Sequence, residues 1–487
     1  MELTKLLNSV KVINVIGEVQ RKDVANIVYD SRKVEKNSVF VAIKGFNTDG
    51  HKYILQAISK GAIAIILEDN KIVPDEIFVH EKIAKILVYN SRAALAEVSN
   101  YFFKEPSKKL SLIGITGTNG KTTTSFYIKS ILEESGSKVG LLGTIANYIG
   151  SREIKSSLTT PEANDVNALL LEMVNENCKY AVMEVSSHAL ALNRVKSLNF
   201  SVGVFTNITS DHLDFHKNFE TYLNAKKILF DNLGESAFGV YNSDDSNSTR
   251  LIEDCKAMCH SYGMTSNADF IIKNISYDLN GTNFQLEYKG EDYSVSTSLI
   301  GEFNAYNATA AIAVTTLLGI NFNTALNGIK KTKQVPGRFE VFGNKNIKVI
   351  VDYSHTADSL EKALQAVHNI VKNKFEVYTV FGCGGNRDKT KRPIMGKIAS
   401  EMSDRVFITS DNPRNENPFE IIEDIKKGIS KNNFEVVENR EQAIKAAIKG
   451  AKEKTVVLIA GKGHENYQEI NGIRNHFSDK ETAQKYL

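Results

Sequence analysis

No stretch of this 487-residue chain approaches the run of about 18 apolar residues that a membrane-spanning helix needs, so membrane insertion is not expected. The first residues, Met1-Glu-Leu-Thr-Lys-Leu-Leu-Asn8, hold neither a long apolar core nor a small-residue cleavage site, which points to the cytoplasm. Charge of one sign is also lacking. The net charge is only +3 and no long Lys/Arg block occurs, so a nucleic-acid partner is not indicated. The four cysteines, Cys178, Cys255, Cys259 and Cys383, are too few and too irregular for a disulfide scaffold and read as free thiols. Cys255 and Cys259 precede His260 at a metal-like spacing, but no second ligand pair follows. Short repeats and low-complexity tracts are missing as well.

What is present is the composition of an ordinary globular protein, 42% hydrophobic and 24% charged, long enough for two to four domains. Residues 1–106 carry short strand-like runs, Val39–Ile43 and Ala62–Leu67, separated by polar turns at Asp30-Ser-Arg32 and Phe46-Asn-Thr-Asp-Gly50. Pro106-Ser-Lys-Lys109 reads as a linker. Over 107–335, strands at Leu112–Thr116, Tyr180–Val185 and Val202–Ile208 alternate with helices, which predicts a parallel sheet covered on both faces. Gln334-Val-Pro-Gly-Arg338 breaks the pattern as a second hinge. Alternation resumes over 336–487, with strands at Val349–Asp352, Val377–Phe381, Val406–Thr409 and Val456–Ala460. Ligands gather at the carboxyl ends of such strands, so the turns 353–358, 382–392, 410–418 and 461–468 matter most. The fold class is α/β in three domains.

The most informative segment is Leu112-Ile-Gly-Ile-Thr-Gly-Thr-Asn-Gly-Lys-Thr-Thr-Thr124, a strand running through Gly117 and Gly120 into a helix at Lys121. Glycines let backbone N–H groups face phosphate oxygens, and the helix N-terminus adds partial positive charge. Lys121 is placed to neutralise outer phosphates and the Thr122 hydroxyl to hold Mg²⁺. The longer phosphate-loop pattern needs a glycine where this chain has Ile115, so the loop is a shortened variant. Glu184 ends a second strand in Met183-Glu-Val-Ser-Ser-His188, and its reading as a Mg²⁺ ligand competes with that of a solvated strand-end acid. His212, in Thr206-Asn-Ile-Thr-Ser-Asp-His-Leu-Asp214, reads alone as a loop histidine; beside Glu184 and the phosphate loop, a metal role stands equally with that. In the helix from Phe219, residues 219, 222, 223, 229 and 230 share an apolar face. At about 100° per residue Lys226 projects from the middle of that face and Lys227 from its side. Either Lys226 snorkels, or it is a desolvated amine of lowered pKa able to react with CO₂, giving a carbamate that can bind Mg²⁺.

In the last region Gly382-Cys-Gly-Gly-Asn-Arg-Asp388 has Arg387 where a dinucleotide loop needs its third glycine, which excludes that cofactor site. Arg387, Lys389, Lys391 and Arg392 instead form a cationic turn. Asp411-Asn-Pro-Arg414 offers an arginine to a carboxylate, with a solvated turn as the plainer alternative. Gly461-Lys-Gly-His-Glu465 places an acid where it can hold an ammonium group.

Gly117-Thr-Asn-Gly-Lys-Thr122, Glu184-Val-Ser-Ser-His188, Asp211-His-Leu-Asp214, Ala225-Lys226 and Pro336-Gly-Arg338 together resemble the Mur ligases, ATP-dependent amide-forming enzymes of peptidoglycan precursor synthesis. The resemblance spans nearly the whole chain. It implies an N-terminal uridine-nucleotide domain at 1–106, a central ATP-binding domain at 107–335 and a Rossmann-like amino-acid-binding domain at 336–487. Ser31, Phe46, Asn47 and Thr48 resemble the uridine-nucleotide pocket, and Thr159, Thr160, Ser186 and Arg194 the contacts to a UDP-N-acetylmuramoyl-dipeptide. Gly117, Thr118, Asn119, Gly120, Lys121, Thr122, Thr123, Asn304, Arg338 and Asp352 resemble ATP contacts. Lys226 matches a carbamylated lysine that ligates Mg²⁺ with Thr122, Glu184 and His212, and Lys121, Glu184, His212 and Lys226 match the chemical centre. Asp411, Asn412, Pro413 and Arg414 match the members that add meso-diaminopimelate, with Arg387, Gly461 and Glu465 as further amino-acid contacts. Ser354 and Ala357 depart from the usual alanine and proline of their turn, which would loosen it, and Leu192 stands where relatives often have a polar residue. A lysine-adding version is the first alternative. A folylpolyglutamate synthetase lacks a domain like residues 1–106, and a silent nucleotide-binding regulator should have lost the chemical residues that this chain keeps. A monomer is expected.

Overall fold

Short, uninterrupted apolar runs become the buried strands of this protein. The computed structural model describes residues 1–19, 23–45, 48–372 and 374–487, so Phe46 and Asn47 lie outside the described residues. The chain divides into two compact units. The first comprises Met1–Gly114, Ser137–Gly203 and Asp231–Ala237; the second comprises Ile115–Gly136, Val204–Phe230 and Phe238–Leu487.

In the first unit, Val12–Ile16, Ala84–Val88, Ala64–Leu67, Val39–Val41 and Ile27–Val28 lie side by side in that order. Only the first pair is antiparallel. Val39–Val41 and Ala64–Leu67 are buried along their whole length, as expected of parallel strands covered on both faces. Leu95 and Val98 of the helix Ser91–Phe102 pack with Ile66 and Ile86, while Phe40, Ile65 and Phe78 form a second core. The Asn90 side chain starts that helix by accepting the Ala93 N–H at 2.9 Å. Farther along, Tyr180–Glu184 pairs in parallel with Val139–Leu142, which continues into antiparallel Ala146–Ile149 and Arg152–Lys155.

In the second unit the helix Lys121–Glu134 follows the phosphate loop, and the parallel strands Phe238–Asn242, Met258–Gly263 and Phe270–Asp278 lie in sequence order. The sheet then turns antiparallel through Gly281–Tyr288 and Glu291–Thr297. With Ala146–Ile149 and Arg152–Lys155 of the first unit, these antiparallel strands correct the expectation of a parallel sheet over 107–335. The reversals after Phe270 come from two tight turns, where Gly281, Lys289 and Gly290 take positive φ, and their signal was the Asn280-Gly281 and Lys289-Gly290 pairs between alternating strands.

A six-stranded sheet closes the second unit in the order Glu340–Gly343, Ile347–Asp352, Thr455–Ala460, Glu376–Phe381, Arg405–Ile408 and Phe434–Val436. All pairs but the first are parallel. Asp352 stands opposite Ala460, and Phe381 opposite Ile408, so the loops after these strands leave from one edge. Among the described residues no helix is long and apolar enough to cross a membrane.

One ion pair is wholly buried here: the Arg440 guanidinium donates to both Asp479 carboxylate oxygens, at 2.7 and 2.8 Å, and to the Ala460 carbonyl at 3.0 Å. Removing one partner of such a pair leaves an uncompensated charge in the core. Asp479→Ala should therefore cost about 3–5 kcal/mol in denaturant unfolding, and Arg440→Met/Asp479→Leu much less than Asp479→Ala.

Candidate active site

The phosphate loop is seated on the end of the strand Val202–Phe205. Thr118 N–H donates to the Asn207 carbonyl at 2.8 Å and Asn119 N–H to Asn207 Oδ1 at 3.0 Å, while Thr206 Oγ1 donates to the Asn119 carbonyl at 2.6 Å. This approach demands glycine. A Cβ on Gly117, whose φ is +149°, would stand 1.9 Å from Thr206 Oγ1, and one on Gly120, at +89°, would stand 2.4 Å from Asn307 Oδ1. No side chain caps the helix Lys121–Glu134, whose N-terminal end carries the partial positive charge that favours an anion. Lys121 Nζ donates to the Gly117 and Thr118 carbonyls at 2.8 Å each, which holds its charge over the loop. Thr118, Thr122 and Thr123 are buried. Asn304 backs the loop through a neighbour, accepting from Asn307 Nδ2 at 3.1 Å.

Residues near 336–358 reach the same loop. Arg338 Nη2 donates to Thr122 Oγ1 at 3.1 Å, its guanidinium lies 4.4 Å from the Tyr353 ring centre, and its Nε is buried without a partner. Asp352 accepts Phe339 N–H at 2.7 Å and Ser354 N–H at 2.9 Å. It therefore holds the turn that presents Arg338. Asn119 Nδ2 donates to Asp358 Oδ2 at 3.1 Å. The turn from 353 is anchored despite Ala357: Thr356 and Ser359 form a reciprocal cap at the start of the helix Ala357–Val371.

Lys226 is 1% exposed, whereas Lys227 is 16% exposed and pairs with Asp254. The inward stripe position is what the helical spacing required. The Lys226 amine lies 4.5 Å from the Tyr222 ring centre, and Tyr222 shares a 3.0 Å hydrogen bond with Thr118. Burial, and then the charge of Lys121, drives the Lys226 pKa well below its ordinary value, against the pull of Asp211. Burial and Lys226 together lower His216 to about 4. Asp211 behaves oppositely. Burial would raise it, but His212, His355 and Lys391 outweigh burial and hold its carboxyl at about 2. His212 occupies left-handed backbone at φ 55°, its N–H on Asp211 Oδ1 at 2.9 Å and its Nε2 3.4 Å from Asp211 Oδ2.

In the first unit Glu184 is fully buried and accepts from Thr144 N–H at 2.9 Å and Thr144 Oγ1 at 2.8 Å. Thr144 also donates to Thr159 at 3.1 Å. Thr160 Oγ1 donates to the Glu184 carbonyl at 2.8 Å and accepts Ser186 N–H at 3.1 Å. Buried Arg194 donates to the Thr160 carbonyl at 3.0 Å and pairs with Glu162 at 2.9 Å. Thr159, Thr160, Ser186, Arg194 and Glu184 thus form one connected group. Ser31, bonded to Gln56 at 2.8 Å, and exposed Thr48, 3.2 Å from the Tyr53 hydroxyl, join it by no hydrogen bond.

The loops after the parallel strands of the six-stranded sheet make a second polar cluster. Arg414, at φ 52°, is half-buried and donates to the Gly385 carbonyl at 2.6 Å. Pro413 packs on the same glycine, where a Cβ would lie 2.0 Å from the Pro413 carbonyl. Asn412 Nδ2 donates to Glu465 Oε2 at 2.8 Å, and Asp411 lies across Gly461. Burial, and then the Asp411 charge, raises the Glu465 pKa. Arg387 is exposed. The four-cation turn expected at 387–392 is only partly available. Arg392 is fully buried between Glu416 and Asp424, each at 3.0 Å, and Lys389 also faces Glu416 at 3.3 Å. Cys255, Cys259 and His260 form no metal cluster, since no group of three or more His, Cys, Asp or Glu suits a metal among the described residues. Asn307, Thr206, Asn207, Asp211, Tyr222 and Lys462 take part in these contacts although the sequence patterns give them no role of their own. Thr206, Asn207 and Asp211 were signalled by lying in the motif of His212, and Asn307 by standing one helical turn after Asn304.

A shortened phosphate loop, a buried lysine beside it and a polar cluster on a separate parallel sheet are the features of a ligase of acids and amines. The chain belongs to the Mur ligase family, of three-domain α/β architecture: residues 23–103 match the Mur ligase family catalytic domain, 115–315 the Mur ligase middle domain and 337–463 the Mur ligase glutamate ligase domain. It is 44% identical to UDP-N-acetylmuramoyl-L-alanyl-D-glutamate--2,6-diaminopimelate ligase 1 of Clostridium acetobutylicum, over 100% of this chain and 99% of that protein. A solved structure of a UDP-N-acetylmuramoyl-L-alanyl-D-glutamate--2,6-diaminopimelate ligase superposes with a TM-score of 0.70 at 30% identity, covering 100% of this chain and 98% of that one. Mycobacterium tuberculosis folylpolyglutamate synthase, at 17% identity and a TM-score of 0.63, shares the fold over 76% of this chain and 92% of its own.

The Gly117 contact gives a direct check. Gly117→Ala should push the loop off Thr206, cost about 1–3 kcal/mol of stability and weaken ATP binding about tenfold or more, read by denaturant unfolding and calorimetric titration.

Proposed function

We propose that this chain is the ATP-dependent ligase that joins meso-2,6-diaminopimelate to UDP-N-acetylmuramoyl-L-alanyl-D-glutamate in peptidoglycan precursor synthesis. The observation that carries the reading is the Asn412–Arg414–Glu465 cluster on a chain 44% identical, end to end, to a ligase of that name. The γ-carboxylate of the D-glutamyl residue attacks the terminal phosphorus of ATP, releasing ADP and forming an acyl phosphate. The diaminopimelate amine then attacks the acyl carbon; phosphate leaves and the amine loses a proton. Lys121 and the N-terminal end of its helix hold the phosphoryl oxygens, and Arg338 and Asn304 brace the nucleotide side. The connected Thr159, Thr160, Ser186 and Arg194 group is assigned to the muramoyl-dipeptide, and Ser31 with Phe46, Asn47 and Thr48 to the uridine nucleotide. Arg414 takes the distal carboxylate, which L-lysine lacks, and the acids Asp411 and Glu465 take the distal ammonium.

Mg²⁺ would neutralise the transferring phosphate, with Thr122, Glu184, His212 and a carbamate of Lys226 as ligands. The donor set suits such an ion once the lysine is modified. A neutral buried amine attacks CO₂ through its lone pair and loses a proton to solvent, which puts an oxygen anion beside Lys121 where a neutral amine stood. Domain boundaries at 1–106, 107–335 and 336–487 fit these three tasks. We assign the enzyme to the cytoplasm as a monomer, with no nucleic-acid partner and no membrane insertion.

In a phosphate-release assay on the UDP-dipeptide and ATP, turnover should be faster with meso-diaminopimelate than with L-lysine; the opposite order overturns the reading. Leaving Arg414 unpaired costs lysine about 1–3 kcal/mol, or about 5- to 150-fold in kcat/KM. Stripping CO₂ from the buffer should lower activity and bicarbonate should restore it, while Lys226→Ala should lose about 10²–10³-fold with no response to bicarbonate. Acidification works in the same direction as CO₂ removal, because protonating the amine removes the lone pair that attacks CO₂.

A further inference from the structure

Lys462 lies between two glycines in Gly461-Lys-Gly463 and is fully buried. Burying an ammonium needs strong compensation. Its Nζ donates to Asn412 Oδ1 at 3.0 Å and to Glu465 Oε2 at 3.3 Å, and stands 3.7 Å from Asp411 Oδ1. Asn412 Oδ1 accepts a second donor, Glu469 N–H, at 2.9 Å. Two donors on that oxygen leave the amide one orientation, with Nδ2 aimed at Glu465, as the 2.8 Å bond records. A single buried cation therefore touches three of the residues assigned to the incoming amino acid, Asp411, Asn412 and Glu465.

We infer that Lys462 is a positioning residue for the diamino acid: it locks the Asn412 amide and keeps Asp411 and Glu465 together as an anionic cradle for the distal ammonium. The inference rests on the function proposed above. Without Lys462, Asp411 and Glu465 are two acids in one pocket, and Glu465 takes up a proton more readily because burial and Asp411 already oppose its charge. The other groups facing Glu465 do not replace the lost cation. Arg440 is committed to Asp479, and Tyr353 and Tyr467 are phenols whose own pKa values are raised. A protonated Glu465 is a poor acceptor for an ammonium, so affinity for the amino acid becomes dependent on pH.

The test is steady-state kinetics of the full-length enzyme from about pH 6 to about pH 9, with ATP, UDP-dipeptide and meso-diaminopimelate varied in turn. Lys462→Met should raise KM for meso-diaminopimelate about tenfold or more at low pH and less at high pH, with KM for ATP and the UDP-dipeptide unchanged. Lys462→Gln keeps a donor for Asn412 but no charge and should show the same pH dependence; it is read alone if the methionine variant does not fold. Equal rises in all three KM values, or a rise that ignores pH, would overturn the inference. Wild-type enzyme is run first. If it turns over only L-lysine, the functional reading fails too, whereas normal wild-type turnover with an unaltered profile in both variants sinks the Lys462 role alone.

Discussion

Two loops compete for one small volume at the end of the strand Val202–Phe205, and the chemistry on the ATP side depends on how that is resolved. The backbone of Thr118 and Asn119 bonds directly to Asn207, and Thr206 bonds back to Asn119, so the phosphate loop has no room for a side chain at Gly117. Because the loop is pinned by these bonds, the N-terminal end of the helix Lys121–Glu134 is held in one direction, and Lys121 reaches back over the loop. The same strand end leads into Asp211 and His212, and Asn119 meets Asp358 on the other side. Loosening this contact would misplace the lysine, the helix end and the Arg338 turn together.

Around that seat, charges are buried in specified company. Glu184 is held by two donors from Thr144, and Asp211 by its histidines and Lys391. Lys226 is the exception, because its strongest charged neighbour is another cation. An amine placed so is biased toward its neutral form, which makes its modification by CO₂ chemically reasonable and its survival as a plain ammonium costly. The polar cluster on the six-stranded sheet follows the opposite design. There the buried cation, Lys462, is surrounded by acceptors, Asn412, Glu465 and Asp411.

Most of the strands were legible as apolar runs: Leu112–Thr116, Val377–Phe381 and Val456–Ala460 each match an observed strand to within a residue or so. The antiparallel strands after Phe270 were missed because their alternating burial gives no long apolar run and their glycine turns were passed over. Lys226 was legible because helical periodicity alone turns it inward. Arg392 was misjudged as a free cation, since nothing nearby in sequence reveals that Glu416 and Asp424 come from later elements to neutralise it.

By itself the sequence determined what local chemistry can determine: a glycine-spaced phosphate loop, a lysine inside an apolar helical stripe, and motif residues specific enough to indicate the family. Those depend on spacing along a strand, a turn or a helix, which the order of residues sets directly. Only the tertiary structure decided that Asp352 holds a turn in place, that Arg392 is buried in ion pairs, and that Lys462 joins Asn412, Asp411 and Glu465. The partners in those cases lie up to about fifty residues apart, on elements that become neighbours through sheet order, and a side chain's charge acquires its meaning from what that order places beside it.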